Sequence, residues 1–424
     1  MNTTPIRHLL TLVLWLLVGS TGLWGQCADW VVAQDGSGDF TTVQAAIEAA
    51  PDDLSAPLVI FIKNGVYEEK LFIAKNFITL IGEDRDSTII TTAVLRRLWR
   101  EEHPDDWGAA TVNIAHAAAD LTLANMTIRN NYADLYPDTP RPNDHTFAIR
   151  GGGDRVILLN CNVVATGGDT LSLWNTEGGM FYHNNCYFEG YVDFVCPRGY
   201  CYITDSEFFG HNLTASIWHD GSGGEDHKFV IRWSTFDGVP DFALGRHHRE
   251  AAFYLLDCHF SERMATKPIY DEQRHDLQWG QRYYYHNTHR DQEDLPWMAD
   301  NLAEAKGQPT PAMITAAWTF KGEWDPEAQL DGLLPIAFWP SPRDGATLDG
   351  PLHGLSWTKG LCAEHYRVYL GTTPGELPLV ATTEANQYVP EALEPGRTYF
   401  WRVDVVTADG IHTGPDWSFT TAEP

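Results

Sequence analysis

The chain is 424 residues long and carries 29 Lys and Arg against 57 Asp and Glu, a formal net charge of -28 at pH 7. This length suits one large domain with a smaller one, or two or three domains of ordinary size. The strong negative field excludes non-specific binding to nucleic acid or to an anionic membrane, because both carry negative charge themselves. We interpret the acidity as a surface property that favours solubility.

The N-terminal segment 1–25 has the order of a secretory signal peptide. Arg7 and His8 precede an apolar run at 9–18, and small residues follow at 20–22. No later stretch approaches 18 uninterrupted apolar residues, so the sequence predicts no membrane span. We therefore expect a secreted protein that works outside the cell, at the cell surface or in the periplasm.

The cysteines do not predict a full disulfide framework, because their number, seven, is odd in a chain that we expect to be exported. Cys27 lies just after the expected cleavage region, and lipidation of this residue is an alternative. Gln26 disfavours that alternative, since it is a poor residue before a lipidated cysteine.

From about residue 29 to residue 285, short segments rich in Val, Ile, Phe, Leu and Tyr are separated by Gly, Asn and Asp turns. This pattern predicts β-strands. One helix is predicted at 43–50, with Thr41 or Thr42 as its N-cap and Pro51 as its stop. Near the start of a solenoid, such a helix would cover an open sheet edge.

A polar turn followed by a short strand recurs within this region at intervals of 20 to 35 residues. The repeats end at Ile128, Val163, Phe188, Phe208, Phe236 and Phe260. The irregular interval predicts coils of a parallel β-helix with loops of variable length, whereas a propeller would need a longer, four-stranded unit. Cys161 and Cys186 would lie in register on neighbouring coils, as buried thiols rather than as a disulfide.

The sequence pattern changes after Leu334, where a segment that contains Pro and Gly is followed by segments in which apolar and polar residues alternate. The alternation at 364–370 and 398–406 is typical of half-buried sandwich strands. We expect the aromatic residues of this part to form its core: Trp357, Tyr366, Tyr399, Trp401 and Trp417. Segment 334–422 resembles a fibronectin type III module with a spacer or attachment role, and segment 27–325 is assigned to the β-helix.

Two aspartates, Asp169 and Asp193, are 24 residues apart, which is about one coil of the predicted solenoid. On the same strand of successive coils their backbones would lie roughly 4.8 Å apart. Two carboxylates at that separation cannot both ionise without cost, so one pKa is expected to rise while the other stays low. The pair is therefore a candidate acid and nucleophile.

Several motifs, in this order along the chain, resemble those of the pectinesterase family. They are Asp-Gly-Ser-Gly-Asp-Phe at 35–40, Thr-Val-Gln-Ala-Ala-Ile at 42–47, Gly-Val-Tyr-Glu-Glu at 65–69, Ala-Thr-Val at 110–112, Gly-Asp-Thr-Leu at 168–171, Val-Asp-Phe-Val at 192–195 and Leu-Gly-Arg at 244–246. The resemblance implies an all-β fold, a right-handed parallel β-helix (pectin lyase-like solenoid), followed here by the small β-sandwich. It also implies a carbohydrate esterase that removes methyl esters from galacturonan without a cofactor or a metal.

The resemblance assigns roles to three residues. Asp193 corresponds to the nucleophile that attacks the ester carbonyl, and Asp169 to the acid that protonates departing methanol and then activates water. Arg246 corresponds to the arginine that hydrogen-bonds the nucleophile, keeps it ionised and fixes its direction.

Two departures from the family pattern concern the oxyanion hole. The family has a glutamine immediately before the acid, where this chain has Gly168, and a second glutamine where this chain has His145. Losing an oxyanion donor costs about 100- to 1000-fold in rate. We expect His145 to replace one donor and a backbone N–H beside Gly168 to replace the other.

The predicted substrate contacts are Tyr67, Gly168, Trp174, Tyr191 and His248. The family's Gly-Arg-Pro-Trp has become Gly-Arg-His-His at 245–248, which weakens ring stacking on the sugar. A metal site at His247 and His248 is disfavoured, because neighbouring strand residues point to opposite faces.

The predicted partner is a methyl-esterified polyuronate, bound by a monomer. Three alternatives remain open: an esterase for another esterified polysaccharide, a β-helix glycosidase with carboxylates about 5 Å apart, and an inactive polysaccharide-binding homologue.

Overall fold

The structure is a computed structural model that describes residues 27–139, 144–220, 224–273 and 276–423. The predicted signal peptide at 1–25 lies outside the described residues. Within the described part of the chain, no helix is both long enough and apolar enough to span a bilayer.

Most of the chain winds into a right-handed parallel β-helix with three sheets. The first sheet contains Trp30–Val32, Leu58–Ile62, Ile78–Gly82, Ala119–Ala124, Asp154–Leu159, Met180–Asn184, Tyr200–Thr204, Phe229–Arg232, Phe253–Leu256 and Tyr283–His286. The second contains Gly65–Tyr67, Thr88–Thr92, Thr127–Asn130, Asn162–Ala165, Tyr187–Gly190, Glu207–Gly210, Thr235–Gly238, His259–Phe260 and His289–Arg290. The third contains Leu71–Ile73, Ala110–Ile114, Phe147–Gly151 and Leu171–Leu173, then Ile217–Trp218, Gly245–His247 and Tyr270–Asp271. Single bridges from Leu171 to Val195 and from Val195 to Ile217 join the two parts of the third sheet.

The predicted repeat is confirmed in the second sheet, where its apolar strand residues pair in register from coil to coil. The pairs are Ile128 with Val163, Val163 with Phe188, Phe188 with Phe208, Phe208 with Phe236, and Phe236 with Phe260. All of these side chains are buried. Cys161 and Cys186 are buried free thiols, as predicted.

Asn and Asp recur in the turns because the turn between the first and second sheets uses left-handed backbone. This turn column consists of Asn125, Asn160, Asn185, Asp205, Trp233, Asp257 and Asn287, with φ between 47° and 57°. Asn and Asp tolerate this conformation better than other non-glycine residues. The amides also connect the coils, since Asn160 donates to Asn125 at 2.7 Å and Asn185 donates to Asn160 at 2.9 Å.

Trp233 is the exception in this column, because a bulky residue there is conformationally unfavourable. The guanidinium of Arg343 lies 3.5 Å from its ring centroid. Arg343 belongs to the segment that leads into the C-terminal sandwich, and it also pairs with Asp205 in the same turn column. We attribute the tryptophan to this contact, which attaches the sandwich to the β-helix.

The predicted N-terminal helix is confirmed as Val43–Ala49, with Thr42 as its N-cap and Ala50 as its C-cap. The Thr42 hydroxyl accepts from the backbone N–H of Ala45, and the Glu69 carboxylate accepts from the first two helical N–H groups. Val43, Ala46 and Ile47 are buried in the β-helix core. The remaining α-helices are Arg96–Glu102, Tyr132–Leu135 and Ala316–Thr319, and the 3₁₀ helices are Pro296–Met298, Leu302–Glu304, Pro311–Met313 and Glu327–Gln329.

The C-terminal part is a small β-sandwich. Its strands are Ala346–Thr347, Leu355–Ser356, His365–Gly371, Leu379–Thr383, Gln387–Tyr388, Thr398–Thr407, Gly410–His412 and Asp416–Thr420. The five aromatic residues expected in its core, Trp357, Tyr366, Tyr399, Trp401 and Trp417, are all buried there. The resemblance to a fibronectin type III module remains a proposal, as do the domain limits 27–325 and 334–422.

A disulfide between Cys27 and Cys362 joins the start of the β-helix to the sandwich across 335 residues. The Cys27 sulfur is therefore not available for lipidation, and that alternative is wrong. Between the two parts, the segment from Leu302 to Phe338 packs apolar side chains onto the outer face of the first sheet, among them Ile314 and Phe320.

We predict that alkylation of the denatured protein without a reductant modifies five cysteines, and that prior reduction raises the number to seven. Mass spectrometry of the intact mature protein gives both numbers. Peptide mapping should place the protected pair at Cys27 and Cys362. Seven modified cysteines without reduction would contradict the assignment.

Candidate active site

Asp169 and Asp193 occupy equivalent positions on adjacent coils. The bridge between Leu171 and Val195 sets this register, and each aspartate lies two residues before its bridge partner. The Asp169 N–H donates to Val192 at 3.0 Å, and the Asp193 N–H donates to Ala215 on the following coil at 2.9 Å. The one-coil spacing predicted from the sequence is therefore confirmed.

Both aspartates adopt left-handed backbone, with φ of 56° at Asp169 and 49° at Asp193. Because the two residues are in register and share one conformation, their side chains leave the coil in the same direction. Each residue is less than one tenth exposed. The site thus holds two largely desolvated carboxyl groups side by side.

Arg246 binds Asp193 through two nitrogen atoms, as predicted. Its Nε lies 3.0 Å from Oδ1 and its Nη2 lies 2.8 Å from Oδ2. Arg246 lies on the strand Gly245–His247, in register with Trp218 on the preceding coil. This two-point geometry fixes the plane of the carboxylate, and the positive charge of Arg246 favours its ionised form.

Burial raises the pKa of Asp193 to about 6, although Arg246 opposes this shift; Asp169 adds to the rise. The sequence-based expectation assigned the low pKa to this residue through Arg246. Desolvation outweighs the guanidinium because it penalises the charged form of a group removed from water. Asp193 nevertheless remains mostly ionised at neutral pH.

His145 lies beside Asp169, with 3.8 Å between its Nε2 and Oδ1 of the carboxyl group. About a third of the His145 side chain is exposed, so its ring is accessible to solvent. Backbone pairing of His145 with Gly168 places the imidazole next to the acid. The two residues that replace the family's glutamines are therefore neighbours in space.

Gly168 has no room for a side chain. A Cβ at this position would lie 2.6 Å from Val192 Cγ1, 2.9 Å from the Val192 carbonyl oxygen and 3.0 Å from His145 Cδ2. The imidazole of His145 occupies part of the space that a side chain at 168 would need. The two departures from the family pattern are thus sterically coupled.

Two of the predicted substrate contacts remain half-exposed beside the pair. Tyr191 stacks on His211 with 5.1 Å between ring centroids, which covers one face of its ring. His248 packs edge-on against Trp218, and burial lowers its pKa, an effect that Arg246 reinforces. His247 lies on the opposite side of the strand and is fully buried, as strand geometry predicts.

Trp174 differs from the expectation, because both faces of its ring are covered. The guanidinium carbons of Arg150 and Arg198 each lie 3.7 Å from its centroid. Its indole N–H donates to the Cys196 carbonyl at 2.9 Å. Only a ring edge can meet a ligand, so the predicted substrate contact of Trp174 is limited to that edge.

Tyr67 is a core residue, and its prediction as a substrate contact is wrong. Its side chain is 1% exposed, and its hydroxyl donates to the Lys63 carbonyl at 2.8 Å. The Gly-Val-Tyr motif therefore serves packing in the second sheet.

Sequence analysis missed Arg150, Arg198, Trp218 and Asp220. Arg150 and Trp174 line a groove of 310 Å³ together with Trp107 and His116. The same one-coil spacing that paired the aspartates also relates Trp174 to Arg198, which form a bridge 24 residues apart. This spacing was the signal that could have identified them.

The fold and the site define a right-handed parallel β-helix protein with a paired-carboxylate and arginine centre. Residues 29–213 match the pectinesterase family model. This segment is therefore similar to pectinesterases. Arg246 and His248 lie beyond the matched segment, so their roles rest on geometry.

Relatives and solved structures show the same similarity. The chain is 34% identical over 186 residues to probable pectinesterase 56 of Arabidopsis thaliana, covering 42% of this chain and 58% of that protein. It is 32% identical over 182 residues to a pectinesterase of Daucus carota, covering 42% and 51%. The match thus spans less than two thirds of the length of these relatives.

The solved structures show the same fold. Pectin methylesterase PemA from Erwinia chrysanthemi aligns with a TM-score of 0.58 at 21% identity, covering 70% of this chain and 98% of that one. Pectin methylesterase from carrot aligns with a TM-score of 0.56 at 22% identity, covering 72% and 96%.

We predict that Gly168→Ala lowers the free energy of unfolding by about 1–3 kcal/mol, because the new Cβ must displace the Val192 backbone or the His145 ring. Denaturant titration of both proteins measures the difference. Gly224→Ala is the matched control, since no atom lies within 4 Å of a Cβ there. Equal stability of the two variants would contradict the steric coupling.

Proposed function

We propose that this protein hydrolyses methyl esters of a galacturonan-type polysaccharide, with Asp193 as nucleophile and Asp169 as acid and base. The observation that carries the proposal is the orientation of Asp193 by Arg246 while Asp169 stands in register one coil away. Related proteins named pectinesterases support the ester as the bond that is broken.

The first half of the reaction forms an acyl-enzyme. An oxygen of ionised Asp193 attacks the ester carbonyl carbon, and the electron pair of the carbonyl moves onto its oxygen. When the tetrahedral intermediate collapses, the bond to the methoxy oxygen breaks and protonated Asp169 delivers its proton to that oxygen. Methanol leaves, and an anhydride links the substrate to Asp193.

The second half regenerates the site. Asp169, now a carboxylate, accepts a proton from a water molecule as the water oxygen attacks the substrate carbonyl carbon of the anhydride. The bond to Asp193 breaks, which releases the uronic acid group and leaves Asp169 protonated again. The released acid then loses its remaining proton to solvent. Arg246 stabilises Asp193 as it recovers its negative charge.

The transient oxyanion needs hydrogen-bond donors at a site without glutamine side chains. His145 is the side-chain candidate, because its ring lies beside Asp169 and remains partly exposed. The expected backbone donor is not available at 168 or 169, because these two N–H groups already donate to the Asp144 and Val192 carbonyls. Donors of this kind act most strongly where water is excluded. Both aspartates are buried, so the site meets this condition.

The remaining expectations complete the proposal. Tyr191, Gly168 and His248 border the substrate, segment 1–25 directs secretion, and the protein acts as a monomer. The C-terminal sandwich, of fibronectin type III kind, serves as a spacer or attachment module for action on a cell wall.

We predict that the mature protein releases methanol from highly methylated pectin without shortening the polymer, and that Asp193→Ala lowers kcat/KM by more than about a thousandfold. Methanol assay and size-exclusion chromatography measure the two properties. Asp237→Ala is the matched control, because Asp237 is also an aspartate facing an arginine but is far more exposed. Shortened chains without methanol would instead indicate a glycosidase.

We predict that the acidic limb of the kcat/KM profile rises about tenfold per pH unit and ends near pH 6, because the nucleophile must be ionised and burial raises the pKa of Asp193 to about 6. Arg246→Gln removes the interaction that lowers this pKa, so its profile should move to higher pH. A pH–rate series for both proteins provides the measurement. An unchanged midpoint in the variant would show that another group controls the profile.

A further inference from the structure

A stack of alternating arginine and tryptophan side chains borders the site on the outer surface of the coils. Trp174 lies between Arg150 and Arg198, and the guanidinium of Arg198 also lies 4.6 Å from the Trp218 centroid. We call Arg150, Trp174, Arg198 and Trp218 the arginine–tryptophan stack. Trp218 pairs in register with Arg246, so the stack adjoins the residue that holds Asp193.

The two arginines differ in how far their charge is compensated. Arg150 donates to Ser172 at 2.8 Å and to Asp106 at 3.3 Å. Among the described residues, Arg198 has one carboxylate within ion-pair distance, that of Asp220 at 3.8 Å, and Asp220 already accepts the backbone N–H groups of residues 248 and 249. The positive charge of Arg198 is thus less well neutralised.

Arg198 also retains unused hydrogen-bonding capacity. Its Nε is buried and has no hydrogen-bond partner within the described part of the chain. About a quarter of its side chain is exposed to solvent. The rings of Trp174 and Trp218 contact the guanidinium through its flat surface, and such stacking leaves the N–H donors in the guanidinium plane free for an anion.

Arg198 lies on the same coil as Asp193, within reach of a polymer that is bound at Asp193. It follows Asp193 by five residues on one coil, as Trp174 follows Asp169 on the preceding coil. Five extended residues span about 16 Å, so a polymer held at Asp193 reaches Arg198 along the surface of the coils. In a chain with a net charge of -28, an anionic polymer needs such a local cation to stay bound.

We propose that Arg198 binds the free carboxylate of an unesterified uronate unit in the polymer whose ester lies at Asp193. Trp174 and Trp218 are positioning residues that hold the guanidinium, and Arg150 supports Trp174 from its other face. The inference rests on the proposed esterase function for the identity of the polymer. It extends that function, because the reaction itself creates the carboxylates that Arg198 recognises, and partly de-esterified chains become the preferred substrate.

The test compares binding of two non-esterified oligomers of equal length by isothermal titration calorimetry. One is an unesterified galacturonate oligomer, and the other is the same oligomer with its carboxylates reduced to alcohols. We expect the wild-type protein to prefer the charged oligomer, with affinity that falls as salt rises. Arg198→Gln should weaken binding of the charged oligomer at least about tenfold and leave binding of the neutral oligomer unchanged.

Two further variants separate recognition from folding. Arg402→Gln is the matched control, because Arg402 has similar exposure and also lies over an aromatic ring, that of Tyr369, but belongs to the sandwich. Arg198→Lys keeps the charge and loses the planar donors, so it should retain part of the preference. Thermal unfolding verifies that each variant is folded.

Equal affinity of the wild-type protein for both oligomers would overturn the proposal, as would an Arg198→Gln variant with unchanged preference. The methanol assay is independent of this result. Methanol release without an Arg198-dependent preference would refute the carboxylate site and leave the esterase intact. An Arg198-dependent preference without methanol release would support the carboxylate site and refute the esterase.

Discussion

Parallel hydrogen bonding between successive coils is the constraint on which the rest of this structure depends. It keeps equivalent residues one above another, so that any position on the coil becomes a column along the helix. The apolar column from Ile128 to Phe260 forms the core, and the left-handed column from Asn125 to Asn287 forms the turn. The same register places Asp169 next to Asp193. In a loosely packed loop, two residues 24 apart in sequence would not be held side by side.

The aligned columns also explain how an acidic protein can hold two carboxyl groups side by side. Two carboxyl groups are buried together, and the cost of their desolvation appears as the raised pKa of Asp193. Arg246 offsets part of that cost through two hydrogen bonds and leaves the carboxylate mostly ionised at neutral pH. Arg150 and Arg198, which lie on either side of Trp174, add positive charge near this centre.

Much of this arrangement could be predicted from the sequence, because coil spacing is a local property. The polar turns, the N-terminal helix and the paired aspartates all follow from residue types at regular distances. The direction of a side chain does not follow from residue types and distances. For this reason Tyr67 was predicted to contact the substrate, although its side chain points into the core. The disulfide between Cys27 and Cys362 depends on a contact between segments that are 335 residues apart, and no local pattern contains it.

The two missing glutamines are best understood as one change rather than two. The His145 ring occupies space that any side chain at 168 would need, and the Val192 backbone closes the rest. A glutamine at 168 would therefore clash in this structure, even if the histidine were replaced by a smaller residue, because the Val192 carbonyl would remain. Once glycine stands at 168, His145 can approach Asp169 to 3.8 Å and offer its Nε2 where a side-chain amide is absent. The absence of a side chain at 168 and the position of His145 beside Asp169 thus follow from the same packing.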